Sequence, residues 1–295
     1  MDDSQPRSVA EGELGSRCIR QERPAPSVAR IVLARPDKRN AQSPELLYEL
    51  DHAFAAAVAD SGVKVIILAA DGPDFSSGHD LAAGFSLPCA PVATLQSGLG
   101  SDGIEGHYAF ECEAYLGLCR RWREIPKPTI VQAQGRTIAG GLMLLWPMDL
   151  IVAAENATFS DPVAAFGVNG VEYFAHAWEL GARKAKELLF TGRAFTAQEA
   201  HQAGMVNHVV ALDDLEEFTL GLASRIAGQP EFGLRLAKES VNRSIDAQGQ
   251  PMAMDSAFAL HNLGHAGNLA RYGQLAYPAG AETIRANARR TASPS

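Results

Sequence analysis

An α/β fold with a helical C-terminal region is predicted by three features of the sequence. Strand-like runs alternate with helical patterns, a glycine pair sits between a strand and a helix, and the periodicity becomes helical after Gly181. Cys18 to Arg23 and Val28 to Ala34 are short β-prone runs separated by Pro24-Ala-Pro-Ser27, which predicts two strands and a turn. Ser43 before Pro44 marks a helix start, after which Leu46, Leu47, Leu50, Phe54 and Val58 share one face. Val63 to Ala69 is an apolar, β-branched run that stops at the turn cluster Asp71-Gly-Pro-Asp74, so it reads as a buried strand.

From Leu81 to about Gly106 the chain is rich in Pro, Gly, Ser and Ala without periodicity, as in a long loop able to close over a ligand. Tyr108, Cys112, Tyr115, Cys119 and Trp122 recur at spacings of three and four, which predicts an amphipathic helix ending before Pro126, its stripe assigned to the core. Thr129 to Gln134 and Leu150 to Ala154 then read as strands flanking a helix start at Gly140-Gly141. A capping box is expected at Thr196 to Glu199 and a second at Asp213 to Glu216, with Leu215, Phe218, Leu222 and Ile226 on one face. Helical runs at Phe232 to Ile245 and about Met252 to Tyr272 follow. The resulting division is a flexible N-terminus (1–17), an α/β core (18–195), a helical region (196–277) and a polar tail (278–295), solvated or serving as a packing arm.

Composition narrows the function. Apolar residues make up 46% and charged residues 20% of the 295, the profile of an ordinary soluble globular protein. A net charge of −8 argues against nucleic-acid and anionic-membrane partners, which need concentrated Lys and Arg. No apolar leader segment or membrane-length apolar run occurs, and Cys18, Cys89, Cys112 and Cys119 lack both CxxC spacing and the density of a disulfide scaffold. A soluble cytoplasmic protein with reduced thiols is expected. No metal and no tightly bound cofactor are expected either. The Gly98 to Gly103 match to GxGxxG has no convincing strand before it. His261 and His265 form an HxxxH pair without the Glu of HExxH and without an evident third ligand, so they read as packing or surface histidines. Ser76 and Ser77 lack a GxSxG elbow.

The chemistry concentrates in two glycine turns. In FSSGHDL (Phe75 to Leu81), Gly78 permits a backbone that aims the His79 amide into a pocket. In TIAGGLML (Thr137 to Leu144), a strand runs into Gly140 and Gly141 and then a helix start, leaving amides without intrahelical partners. Two such amides converging on one point would form an oxyanion hole for an enolate developing on a thioester carbonyl, where one donor contributes about 3 to 4 kcal/mol. Each motif alone reads more readily as ordinary turn glycines.

Their order and context resemble the crotonase (enoyl-CoA hydratase/isomerase) superfamily from about Val28 to Val210, through RPDKRNA, FSSGHDL, QGRTIAGGL, DLIVAAENATFS and LFTGRAFTAQEAHQAGMV. The resemblance implies a spiral of ββα repeats, oxyanion-hole amides at His79 and Gly140, and an acyl-coenzyme A ligand with coenzyme A as part of the substrate. It also implies trimers or paired trimers (hexamers), and enoyl-CoA hydratase or isomerase chemistry of the kind used in fatty acid metabolism. Family hydratases carry two glutamates, and this chain has Met143 and Val163 at those positions. Neither side chain can hold or deprotonate a water, so hydration by the usual carboxylate pair is not expected.

Replacement groups are sought in Gly167 to Gly181, which offers Glu172, Tyr173 and His176, with Glu172 the first candidate for general base. A carboxylate facing a helix N-terminus is its structural alternative. Asp161 reads equally as a turn or cap residue, and His79 as an acid/base group or a side chain pointing away. Lys38 and Arg39, between a strand and a helix, suit the coenzyme A phosphates or a solvated turn. Ser77, Asp80, Gly141, Met143 and Val163 complete the expected acyl-CoA lining. A non-catalytic acyl-CoA binder, and a thioester or C–C bond hydrolase or isomerase, are the alternatives to a lyase.

Overall fold

The computed structural model describes residues 18–84, 87 and 98–291, with side chains described to residue 287. The expected flexible N-terminus (1–17), Cys89 and most of the segment between Gly84 and Gly98 lie outside the described residues. In chain order the strands are β1 (Ile19–Ala25), β2 (Val28–Leu33), β3 (Val65–Ala70), β4 (Thr129–Ala133), β5 (Arg136–Ile138), β6 (Leu150–Ala154), β7 (Thr158–Ser160), β8 (Phe195–Thr196) and β9 (His208–Val210). The α-helices are α1 (Pro44–Ala59), α2 (Ile104–Phe110), α3 (Leu118–Arg123), α4 (Leu142–Leu145), α5 (His176–Thr191), α6 (Ala197–Ala203), α7 (Leu215–Ala227), α8 (Glu231–Ala247), α9 (Gln250–Tyr272) and α10 (Gly280–Thr291). Among the described residues no helix is long and apolar enough to cross a membrane.

β1 and β2 form the expected antiparallel hairpin, and every later neighbour in the sheet β1-β2-β3-β4-β6-β9 is parallel. Parallel neighbours need crossovers, and helices supply them, covering both faces. The side-chain alternation is visible in β3: Val65, Ile67 and Ala69 face Leu215 and Ala223 of α7, whereas Ile66, Leu68 and Ala70 join the larger core with Leu46, Leu50, Phe54 and Trp122. Burial of each such large side chain contributes about 1.5–3 kcal/mol. α1 starts as its sequence requires, with the Ser43 hydroxyl accepting from the Leu46 amide and Pro44 in the first turn.

A second layer arises because the chain, on leaving a long strand, crosses a line of short pairings before its helix begins. β5 pairs with β7 and β7 with β8, and single bridges join Ser76 to Thr137 and Gln42 to His79. The turn carrying His79 is thereby clamped between residue 42 and β5.

Several expectations need correction. The segment from Tyr108 to Trp122 is not one regular helix: α2 and α3 are joined by a π-helical stretch, Glu111–Gly117. A Cβ at position 117 would lie 2.6 Å from the Cys112 carbonyl oxygen, so the widened turn needs its glycine. Tyr108 at the start of the stripe is 46% exposed, while Tyr115, Cys119 and Trp122 are core. The capping box at Asp213 does not form, because Leu212–Asp214 is a 3-10 turn and no side chain caps α7. The one at Thr196 does, with Thr196 and Glu199 bonding reciprocally. The main sheet takes in β9, beyond the core boundary expected at residue 195. Much of the expected polar tail is α10, whose approach to the 3-10 turn Val163–Phe166 is fixed by the Tyr277 amide donating to the Phe166 carbonyl (2.9 Å). It is the packing arm among the two alternatives.

Candidate active site

Polar bonds from buried side chains build the two turns. Asn40, fully buried, donates to the carbonyls of Asp71 and Asp74 and accepts from the Arg35 amide. The Ser76 hydroxyl donates to the Asn40 carbonyl, and the Ser77 amide donates to the Arg39 carbonyl at 2.9 Å. The loop of Lys38 and Arg39 therefore lies directly beside the His79 turn, and both residues are exposed. Asp80 is held by Arg35 (3.2 Å) and its amide donates to the Gln42 carbonyl, so it organises the turn.

Gly78 has φ +88°, the left-handed region that a glycine enters without strain. Gly140 lies in the 3-10 turn Ala139–Gly141, whose first amides precede any intrahelical acceptor. A Cβ on Gly140 would sit 2.7 Å from His79 Cε1, 2.8 Å from His79 Nδ1 and 3.0 Å from Gln42 Oε1. Only glycine lets the imidazole lie against this backbone. Gln42 Nε2 donates to the Gly140 carbonyl at 2.6 Å, tying the two turns together. A Cβ on Gly141 would meet the Ser76 carbonyl at 2.8 Å, so that glycine serves the contact between the turns.

Glu172 reaches this junction. Its Oε2 accepts from His79 Nε2 at 3.1 Å, and its side chain is 5% exposed against 18% for His79. Because a carboxylate oxygen only accepts, this contact puts the His79 proton on Nε2 and leaves Nδ1, buried and without a partner among the described residues, facing Gly140. The Tyr115 ring stacks on the imidazole with centroids 4.0 Å apart. Burial, reinforced by Glu172, Glu111 and Asp80, holds the Tyr115 phenol well above its usual range and so protonated.

The other predicted residues lie apart from this contact. His176 Nε2 donates to Asp161 Oδ2 at 2.7 Å, both side chains fully buried, and Asp161 also accepts from the amides of Val171 and Val163. Asp161 thus anchors the strand-to-helix connection rather than a ligand. Tyr173 is core, and burial raises its hydroxyl. Met143 is 2% exposed within the main core, its carbonyl accepting from Cys119 Sγ (3.3 Å). Val163 opens the 3-10 turn under α10.

Sequence reasoning missed a third group of residues. Glu111, 1% exposed, lies at the start of the π-helical stretch with His107 Nε2 at 2.8 Å, and His261 and His265 Nε2 each at 3.5 Å from the same Oε1. His261 also lies 3.7 Å from Glu172 Oε1. The HxxxH pair of α9 therefore faces two carboxylates, in place of the packing or surface role expected from its isolation in the sequence. Burial opposes a charge on His261, but the Glu111 and Glu172 carboxylates and the Gly170 carbonyl outweigh it and push the imidazole up to about 9. Burial likewise opposes ionisation of Glu111, yet the three imidazoles hold it well below the usual carboxylate range. The available signal was that His107 and Glu111, like His261 and His265, are spaced i, i+4 on a helix.

Similarity to known proteins extends over most of the chain. The profile of the Enoyl-CoA hydratase/isomerase family matches residues 23–269. EchA13 of Mycobacterium tuberculosis, which carries an enoyl-CoA hydratase name, is 43% identical over 263 residues, 85% of this chain and 83% of its own. A crystal structure from Mycobacterium smegmatis, described as a probable enoyl-CoA hydratase, superposes with a TM-score of 0.80 at 48% identity, covering 88% of this chain and 99% of that one. An enoyl-CoA hydratase/isomerase structure from Xanthobacter autotrophicus Py2 gives 0.75 at 30% identity, covering 94% and 99%. The matching profile, the identities and the spiral of strands and helices together place this chain in the enoyl-CoA hydratase/isomerase family, with the crotonase fold.

Proposed function

We propose that the protein is an acyl-CoA enzyme that forms a thioester enolate, with Glu172 as its acid/base group. The observation that carries this reading is the buried Glu172 carboxylate 3.1 Å from His79, at the junction of the two glycine turns. The thioester oxygen would be held by the amides of His79 and Gly140, and Glu172 would take a proton from the carbon next to the carbonyl. The C–H electron pair then moves onto the thioester oxygen as the enolate, stabilised by the two donors. Returning the proton to a different carbon isomerises a double bond, which one carboxylate can accomplish alone. Hydration by a pair of glutamates finds no support at positions 143 and 163, where the side chains are a thioether and an isopropyl group.

Lys38 and Arg39 would meet the nucleotide phosphates of coenzyme A, a role supported by their exposure beside the turn. Coenzyme A would be part of the substrate, with no tightly bound cofactor in this reading. Cys18, Cys112 and Cys119 form no disulfide, which fits a cytoplasmic compartment. Assembly as trimers or hexamers is supported by the apolar exposure of α8, where Phe232, Leu236 and Val241 face outward.

The test is exchange of the α-proton of a saturated acyl-CoA in deuterated water, run beside turnover of 2- and 3-enoyl-CoAs. Wild-type protein should exchange, and Glu172→Gln should lose exchange while keeping acyl-CoA affinity. Binding without exchange or turnover in the wild type would leave an acyl-CoA carrier. Unchanged exchange in Glu172→Gln would remove Glu172 from the chemistry.

A further inference from the structure

From the geometry we infer a binding site for a divalent transition-metal cation, built from His107, Glu111, His261 and His265 and lying behind Glu172. α2 and the π-helical stretch contribute His107 and Glu111, and α9 contributes His261 and His265, each pair one helical turn apart so that both side chains reach the same point. The ligand atoms of His107, Glu111 and His265 all lie within 4.8 Å of one another. Around Glu111 Oε1 the three Nε2 atoms stand at 2.8, 3.5 and 3.5 Å, and the two α9 imidazoles are 2.9 Å apart through Nε2. Donors coordinated tetrahedrally at about 2.0–2.1 Å are separated by about 3.3 Å, and the observed spacings bracket that value.

The tautomers point the same way. His261 Nδ1 lies 2.7 Å from the Gly170 carbonyl and His265 Nδ1 lies 2.7 Å from the Leu275 carbonyl. A carbonyl only accepts, so each Nδ1 carries a hydrogen and each ring turns its Nε2 toward Glu111 and toward the other ring. The two Nε2 atoms, 2.9 Å apart beside a carboxylate, must therefore share either a proton or a metal cation. An imidazole pinned by Nδ1–H to a backbone carbonyl is also the usual outer support of a metal-ligating histidine. The remaining oxygen of Glu111 has such a support too, since Asn262 Nδ2 donates to Oε2 at 3.3 Å. Three imidazoles and one carboxylate suit Zn2+, Co2+, Ni2+ or Fe2+ rather than Mg2+ or Ca2+, which prefer oxygen.

The inference stands apart from the proposed reaction, because its readout is metal content. Protein lacking a histidine tag is stripped with a chelator and titrated with Zn2+ by calorimetry, and separately with Co2+ by visible absorption. About one equivalent of Zn2+ should bind, and Co2+ should give the intense bands of a low-coordinate, imidazole-rich site. His265→Ala and Glu111→Gln should each weaken Zn2+ binding by more than about 100-fold, and Asn262→Ala by about 10–100-fold. Folded wild-type protein that takes up no stoichiometric Zn2+ or Co2+ would overturn the site and leave a proton shared between His261 and His265. Binding that survives in both His265→Ala and Glu111→Gln would overturn it as well, by placing the ion elsewhere.

Discussion

Two histidine–carboxylate pairs flank the same stretch of chain and sit in different surroundings. Asp161 and His176 are 2.7 Å apart with both side chains sealed, and the remaining contacts of Asp161 go to backbone amides. Glu172 and His79 are 3.1 Å apart, with the imidazole partly open and resting on the Gly140 backbone. The chemical groups are alike, so the pairing itself identifies neither as functional. What separates them is what lies on the far side of each imidazole. Beyond His176 are the rings of Trp146 and Phe174, whereas beyond His79 are two glycine turns.

Removing each carboxylate breaks the comparison most directly. Glu172→Gln keeps the shape of the side chain and should lower turnover by about 10²–10⁴-fold, the usual contribution of a positioned acid/base group, with little change in melting temperature. Asp161→Ala should show the reverse pattern. It leaves the Val171 amide and His176 Nε2 as buried donors without an acceptor, at about 1–3 kcal/mol each, so urea unfolding should report a loss of about 3–5 kcal/mol. A large loss of stability in Glu172→Gln together with a mild effect in Asp161→Ala would reverse the assignment. Gly140→Ala sharpens the contrast from the other side: its Cβ would press on His79 Cε1 at 2.7 Å, so the ring must shift and turnover should fall about 10²-fold. The Asp161–His176 pair would not sense that substitution, and the melting temperature measures whether it does.

The two pairs also differ in how far they were legible in the sequence. The two glycine turns are local patterns in the sequence: glycine at 78 is demanded by its own positive φ and the Gly140-Gly141 pair stands at a strand-to-helix junction, although the ring that presses on Gly140 comes from His79 in the other turn. The strands β1 to β4 and β6 and the start of α1 were legible for the same reason, since alternation and capping are local. Glu172 could be named as a candidate but not joined to His79, which lies 93 positions away. The cluster of His107, Glu111, His261 and His265 was further out of reach. The π-helical turn that brings Glu111 inward has no residue pattern of its own, and α9 arrives from about 150 residues later. HxxxH has no further polar partner nearby in the sequence, and the packing of α9 on α2 brings it to His107 and Glu111.

A third carboxylate gives the smallest effect and a control for both pairs. Glu179 lies seven residues after Glu172, on the wall of a groove of about 500 Å³ beside α8, and burial alone pushes its carboxyl up to about 7. Among the described residues no hydrogen-bond or ion-pair partner offsets that burial. The folded protein therefore holds this proton over a pH range in which the unfolded chain, with an ordinary carboxyl near 4.5, has already released it. Native protein binds more protons than unfolded protein between those values, so the Glu179 contribution to stability falls as pH rises from about 4.5 to about 7 and is level above. Because the residue keeps some contact with solvent, the expected loss is about 1–2 kcal/mol rather than the full linkage value. Glu179→Gln should remove that slope and raise stability at pH 8, measured by urea unfolding across the pH range, with turnover unchanged. An unchanged slope would mean that the groove supplies a partner for Glu179, and that the three carboxylates of this stretch differ in access to solvent rather than in pairing.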